Sequence, residues 1–130
     1  MSRKSKGINA ERELIHMFNN NDWMSIRVAG SGSSHYPSPD ILAGNIKRKL
    51  AIECKSIKSK TKYLTNEEVE QLKLFSRLFG AEPWIGIRFN NEKWYFLSID
   101  DIEITKKNYY SISLDLAKKK GLLFEELINF

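Results

Sequence analysis

A chain of 130 residues, 42% hydrophobic and 28% charged, is long enough for one domain with its own core and too short for two ordinary ones. Seven Gly and three Pro exclude collagen-like and low-complexity chains, and no apolar run approaches the roughly 20 residues of a membrane span. The polar amino end lacks a signal-peptide core, one cysteine with two histidines excludes disulfide scaffolds, zinc fingers and His-metal finger nucleases, and a net charge of +5 suits a polyanionic partner.

In chain order, Gly7–Asn19 reads as a helix, with Ile8, Ile15 and Phe18 at i, i+7 and i+10 and Leu14 beside them. Glu11 falls on the same stripe. A carboxylate there either lies at the wet edge of the helix or is buried for a purpose, because an unpaired buried carboxylate is costly. Trp23–Ala29 suits a strand, and the Gly-, Ser- and Pro-rich run from Gly30 to Pro39 is a surface loop. Ile41–Ala43 and Leu50–Lys55 are two short strands. A four-residue turn at 45–48 sets Gly44 opposite Lys49, Ala43 opposite Leu50 and Asp40 opposite Glu53. Alternation then puts Ala51, Glu53 and Lys55 on one face and Leu50, Ile52 and Cys54 on the other, the apolar face turned to the core.

Lys58, Lys60 and Lys62 follow in a basic, mobile stretch. A helix begins near Thr65, with Glu68 as its capping-box partner, Val69, Leu72, Phe75 and Phe79 as its buried stripe and Gly80 as its stop. Pro83–Phe89, Asn90-Asn91 and Lys93–Ser98 form an aromatic-rich hairpin, and a short edge strand is expected near Tyr109–Ile112. Leu114–Ile128 is short helix broken at Gly121. The order helix, three strands, helix, two strands gives an α/β or α+β sheet flanked by helices.

The chemistry lies in Glu11, Asp40, Glu53 and Lys55. Two carboxylates facing each other across a hairpin repel unless a cation lies between them, and hard oxygen ligands suit Mg²⁺. Lys55, two residues beyond Glu53 on the same strand face, adds a positive charge. A metal-activated water beside a lysine suits phosphodiester hydrolysis. Charge distribution agrees: residues 1–62 hold twelve basic and five acidic side chains, residues 63–130 nine and eleven. Taken singly, Glu11 reads better as a solvated helix carboxylate paired with a nearby Lys or Arg, Asp40 reads as a turn residue, and Glu53 with Lys55 as a weak surface pair; taken together, the four favour a site.

Pro39-Asp40 with Glu53-x-Lys55 matches the PD-(D/E)XK nuclease motif. Together with GINAEREL at Gly7–Leu14, RVAGSGS at Arg27–Ser33, PDILA at Pro39–Ala43, IECK at Ile52–Lys55 and FSRLFG at Phe75–Gly80, the order and spacing resemble archaeal-type Holliday junction resolvases. The resemblance runs from Gly7 to about Leu97. It implies a restriction-endonuclease-like α/β fold, a central mixed β-sheet flanked by helices, in one nuclease domain over residues 1–130. It also implies a homodimeric endonuclease that cuts two opposed strands of a four-way DNA junction with Mg²⁺, or Mn²⁺ in its place, and needs no small-molecule cofactor or membrane.

Carried over residue by residue, the resemblance assigns metal binding to Glu11, Asp40 and Glu53, catalytic support to Lys55, phosphate contact or catalysis to Arg12 and Arg27, and proximity to the scissile phosphate to Ser31. Ser31 reads equally as filler of a Gly/Ser loop. Arg3, Lys4, Lys6, Ser33, Lys58, Lys60 and Lys62 complete the expected DNA-contact set. The expected place of action is the cytoplasm, at the nucleoid or a site of viral replication. His35-Tyr36 stands where relatives often carry more Lys and Arg, and the tail after Asp101 matches only loosely. The aromatics Trp84, Phe89, Trp94 and Phe96 are candidates for the dimer surface, though most of them must be core. Two other readings stay open: a PD-(D/E)XK nuclease of restriction or repair type, and a non-catalytic junction-binding module.

Overall fold

The computed structural model is described over residues 3–28, 36–105 and 107–130, and over side chains from Gly7 onward. Ser31, Ser33 and His35 lie outside the described residues, as do the side chains of Arg3, Lys4 and Lys6.

Helix α1 (Arg3–Asn19) starts four residues earlier than its apolar stripe suggests. It buries Leu14 and Phe18 completely. It ends where Asp22 turns to a left-handed φ of 64° and Trp23 N–H reaches back to the Phe18 carbonyl at 3.1 Å. Strand β1 (Met24–Arg27) follows, locked to the helix by Ser25 Oγ, which donates to the Ile15 carbonyl at 3.2 Å. Strands β2 (Ile41–Gly44) and β3 (Lys49–Ile57) form the expected hairpin, with Gly44 opposite Lys49, Ala43 opposite Leu50 and Ile41 opposite Ile52. Its turn is closed by Asn45, whose Oδ1 accepts from Lys47 N–H and Arg48 N–H.

Strand β4 (Thr61–Thr65) leads into α2 (Asn66–Phe79). The helix opens with the expected capping box: Thr65 Oγ1 accepts from Glu68 N–H, and Glu68 Oε2 accepts from Thr65 N–H. Gly80, at φ 83°, stops it in the left-handed region that glycine enters without strain. Strands β5 (Glu82–Phe89) and β6 (Trp94–Ser98) make the aromatic hairpin. A 3-10 turn at Ile99–Asp101 precedes β7 (Glu103–Ile104) and β8 (Tyr109–Ser113), and α3 (Leu114–Lys120) and α4 (Phe124–Ile128) flank a break at Gly121. Among the described residues no helix is long and apolar enough to cross a membrane.

The main sheet runs β1-β2-β3-β5-β6, mixed because β3 and β5 are parallel and every other neighbour antiparallel. A second sheet, β4-β8-β7, packs beside it. Both faces of the main sheet carry a core. On the α1 and α4 side, Leu50, Ile52, Trp84, Trp94 and Phe96 pack with Phe18 and Phe124; on the α2 side, Ala51, Ile85 and Ile87 pack with Val69, Leu72 and Ile112. Both alternating sets of β3 therefore meet apolar surface near the strand's start, and Ala51 is as buried as Ile52. A strand with neighbours on both edges and layers on both faces has no purely solvent side.

Four sequence expectations need correction. Lys62 sits in strand β4, opposite Ile112, rather than in a mobile stretch. Tyr109–Ile112 lies in the middle strand of its sheet, not at an edge. Phe79 is 53% exposed and does not complete the buried stripe of α2. Trp84, Phe89, Trp94 and Phe96 are buried within the chain, at 7% exposure or less, which leaves them no surface to offer a second copy.

Candidate active site

Four elements bring their ends to one end of the main sheet: the close of β1, the start of β2, the far half of β3 and the first turn of α2. Asp40 lies immediately before β2. Its N–H donates to the Ile52 carbonyl at 3.1 Å and its Oδ2 accepts from the Cys54 N–H at 2.8 Å, so the side chain is fixed across the hairpin. Glu53, one position beyond the last paired residues, shares a side-chain hydrogen bond with Asp40. Burial, that hydrogen bond and the Asp40 charge push Glu53 up to about 9.

Glu11 approaches from α1. Its Oε1 accepts from Arg27 Nε at 3.0 Å, a pair formed across 16 residues of chain by the docking of α1 on β1. Burial and the Asp40 charge raise the Glu11 carboxyl, and the Arg27 bond only partly offsets them. The Cys54 thiol is raised by burial and by the charges of Asp40, Glu11 and Glu53, with Lys55 opposing. Cys54 itself packs against the α1-side core and has no further role in the site.

Lys55 is on the same face as Glu53. Its ammonium meets Glu68 Oε1 of α2 at 3.1 Å. Burial lowers its affinity for a proton, but the carboxylates of Glu53, Glu68 and Asp40 outweigh that and raise it, so the side chain is charged. Glu68 is lowered: burial opposes ionisation, and the Thr65 N–H and the Lys55 charge overcome it. From the sequence Glu68 reads as a helix cap and, equally, as a carboxylate near the metal, but not as the partner of Lys55. Its bond to Lys55 spans 13 residues and three elements, and no local pattern announces it.

Asp40, Glu53 and Lys55 are thus in one cluster, with Glu11 at its rim and turned to Arg27. Among the described residues no three acidic, His or Cys side chains converge as a ready cation cage. The donor set still fits a hard cation, since Asp40 and Glu53 offer carboxylate oxygen side by side on the hairpin and Glu11 offers a third nearby. Arg12, Lys58 and Lys60 are exposed and Lys62 is half-buried, all free of the core.

Comparison with known proteins places the fold in a family. Residues 2–130 match the family model described as archaeal Holliday junction resolvase (Hjc). The chain is 42% identical over 129 residues to the crossover junction endodeoxyribonuclease Hjc of Archaeoglobus fulgidus, covering 95% of each, and 37% identical to that of Methanocaldococcus jannaschii, covering 95% of this chain and 96% of the relative. The solved structure of Archaeoglobus fulgidus Hjc, titled a Holliday junction resolvase from an archaeal hyperthermophile, superposes with a TM-score of 0.87 at 39% identity, over 93% of this chain and 97% of that one. With a family model spanning nearly the whole chain and relatives of this identity on the same fold, the chain belongs to the archaeal Holliday junction resolvase family, Hjc.

Proposed function

We propose that this chain, as one nuclease domain over residues 1–130, is a metal-dependent endodeoxyribonuclease that cuts four-way DNA junctions as a homodimer, one strand per active site. The observation that carries the reading is Asp40, fixed across the hairpin by the Cys54 N–H beside Glu53, with Lys55 on the same strand face held by Glu68. Asp40, Glu53 and Glu11 would hold Mg²⁺, with Mn²⁺ as a substitute, because all three offer carboxylate oxygen. A bound divalent ion supplies an activated water and neutralises charge on the phosphate. Asp40 and Glu53 orient the site, and Lys55 stabilises negative charge that develops on the phosphorus oxygens. Arg12, Lys58, Lys60 and Lys62 supply phosphate contacts without base readout, as does Arg27 next to Glu11. Such an enzyme acts where DNA recombines or replicates, at the nucleoid or at a viral replication site. Ser31 and Ser33 enter the reading from the sequence alone.

Homodimerisation has its own support. Helix α2 packs over β3 and β5, leaving the same face of β1 and β2 bare. Met24 and Ile26 on that face are 75% and 59% exposed, and Leu78 and Phe79 at the end of α2 are 75% and 53% exposed. Met24, Ile26, Leu42 and Phe79 line one shallow groove there. A second copy is the fitting occupant, because cutting two opposed strands of one junction requires two sites in a two-fold arrangement.

The test is cleavage of a labelled immobile four-way junction beside a linear duplex of the same arms, with Mg²⁺ and with EDTA. Paired symmetric nicks in the junction alone, dependent on metal, are expected. Asp40→Asn and Glu53→Gln should each cut at least about 1,000-fold more slowly, the scale of a lost metal ligand, while junction affinity stays near wild type. Equal cutting of both DNAs would move the reading to a general nuclease, and binding without nicks to a non-catalytic module.

A further inference from the structure

We infer that Glu68 is a positioning residue for Lys55: it holds the ammonium at a fixed place beside the Asp40–Glu53 pair, so that the helix cap of α2 is also a part that orients the site. This rests on the reading of Lys55 as the group that meets the phosphate.

The inference follows from how both ends of Lys55 are fixed. Its backbone lies in β3, the central strand, paired with Ile87 of β5 on one side. From there the side chain has four rotatable bonds, and an untethered lysine would spread its charge over many rotamers. Glu68 removes that freedom. One oxygen, Oε1, accepts from Lys55 Nζ at 3.1 Å; the other, Oε2, accepts from Thr65 N–H at 3.0 Å. The backbone of Glu68 is held in turn by Thr65 Oγ1 at 3.1 Å. A surface ion pair couples two mobile side chains, whereas this carboxylate is already held through Oε2 by the helix cap when Oε1 meets the lysine. The Lys55 side chain is only 19% exposed and that of Glu68 38%, so the pair is partly shielded from water. A reacting group displaced by about 1 Å can lose about 100-fold in rate, so such a tether has work to do.

Glu68→Gln separates positioning from capping, because glutamine at this helical position still accepts from the Thr65 N–H but offers no charge to Lys55. Single-turnover cleavage of the four-way junction at saturating protein should fall by about 10- to 100-fold, with junction Kd and Tm near wild type. The Lys55 Nζ–H₃ NMR cross-peak of the free protein, visible while the ammonium is held from exchange with water, should disappear in Glu68→Gln. A cleavage rate at or above wild type would overturn the inference, since Glu68 would then be idle or would compete with the substrate for the lysine. A loss confined to junction affinity, or a cross-peak that persists, would also overturn it. Lys55→Ala is the control for the underlying reading: full activity there removes Lys55 from the chemistry, whereas an inactive Lys55→Ala with a fully active Glu68→Gln removes only the tether.

Discussion

The two faces of the five-stranded sheet are built from similar strands and covered to different extents. On one, α1 lies over β1, β2 and β3 and α4 over β6, enclosing Phe18, Trp94, Phe96 and Phe124 in a continuous aromatic core. On the other, α2 covers β3 and β5, α3 reaches β6, and the β1–β2 end is left open with Met24 and Ile26 at the surface. The difference teaches what each face is for. Each face carries a core, and the exposed apolar end of the second is the surface proposed for a second copy. The acidic cluster lies where the two meet, taking Glu11 from the closed face and Lys55 with Glu68 from the other.

The comparison is broken most severely on the closed face. Phe96 is fully buried, lies near parallel to Trp94 with ring centroids 6.0 Å apart, and its backbone pairs with Leu122. Phe96→Ala should lose about 3–5 kcal/mol in urea unfolding. Gly86 lies behind it, paired with Cys54, and a Cβ there would come within 3.1 Å of Phe96 Cε1 and 3.2 Å of Ile52 Cγ2. Gly86→Ala should therefore cost about 1–3 kcal/mol in the same measurement, through displaced side chains. A smaller loss would mean that the aromatic layer is looser than its contacts indicate.

At the boundary the expected effect depends on pH. Glu53 keeps its proton in the folded chain up to about 9 and loses it in the unfolded chain near the ordinary 4.5. Between those values the native state binds more protons, so stability falls as pH rises through the window. In EDTA the unfolding free energy should drop by at most about 1.4 kcal/mol per unit, and Glu53→Gln should flatten the slope. A slope that Glu53→Gln leaves unchanged would assign the proton elsewhere. The smallest effect on folding belongs to the open face. Met24→Lys combined with Phe79→Lys should change monomer stability by about 0.5 kcal/mol or less per site, yet convert a dimer to a monomer in sedimentation. A dimer that survives both charges would have its interface elsewhere.

Much of this architecture was legible from the sequence because it is local. The β2–β3 register follows from alternation and a four-residue turn, the start of α2 from Thr65 and Glu68, and the β5–β6 hairpin from aromatic strands around Asn90-Asn91. The second sheet was not legible, since β4 pairs with a strand more than 40 residues away and its Thr and Lys residues look like loop until Tyr110 and Ile112 supply a partner. Phe79 follows Phe75 at helical spacing and stacks on it, with ring centroids 5.1 Å apart, but α2 has by then run past the covering strands. In the site, Asp40 and Glu53 could be placed together from the hairpin alone. The pairs Glu11–Arg27 and Lys55–Glu68 could not, because each depends on how a helix docks on the sheet.

The turn at Asn45–Arg48 acts as a counting device for the chemistry at the opposite end of its hairpin. If one residue were deleted and the turn kept its four-residue form, Leu50 would face Gly44 and Cys54 would take the place of Glu53 opposite Asp40. Ser56 would replace Lys55 in the same step, so a thiol and a hydroxyl would occupy the positions of a carboxylate and an ammonium with every residue of the candidate site still encoded. The length of an exposed turn is therefore as much a part of the specification of that candidate site as the acidic residues themselves.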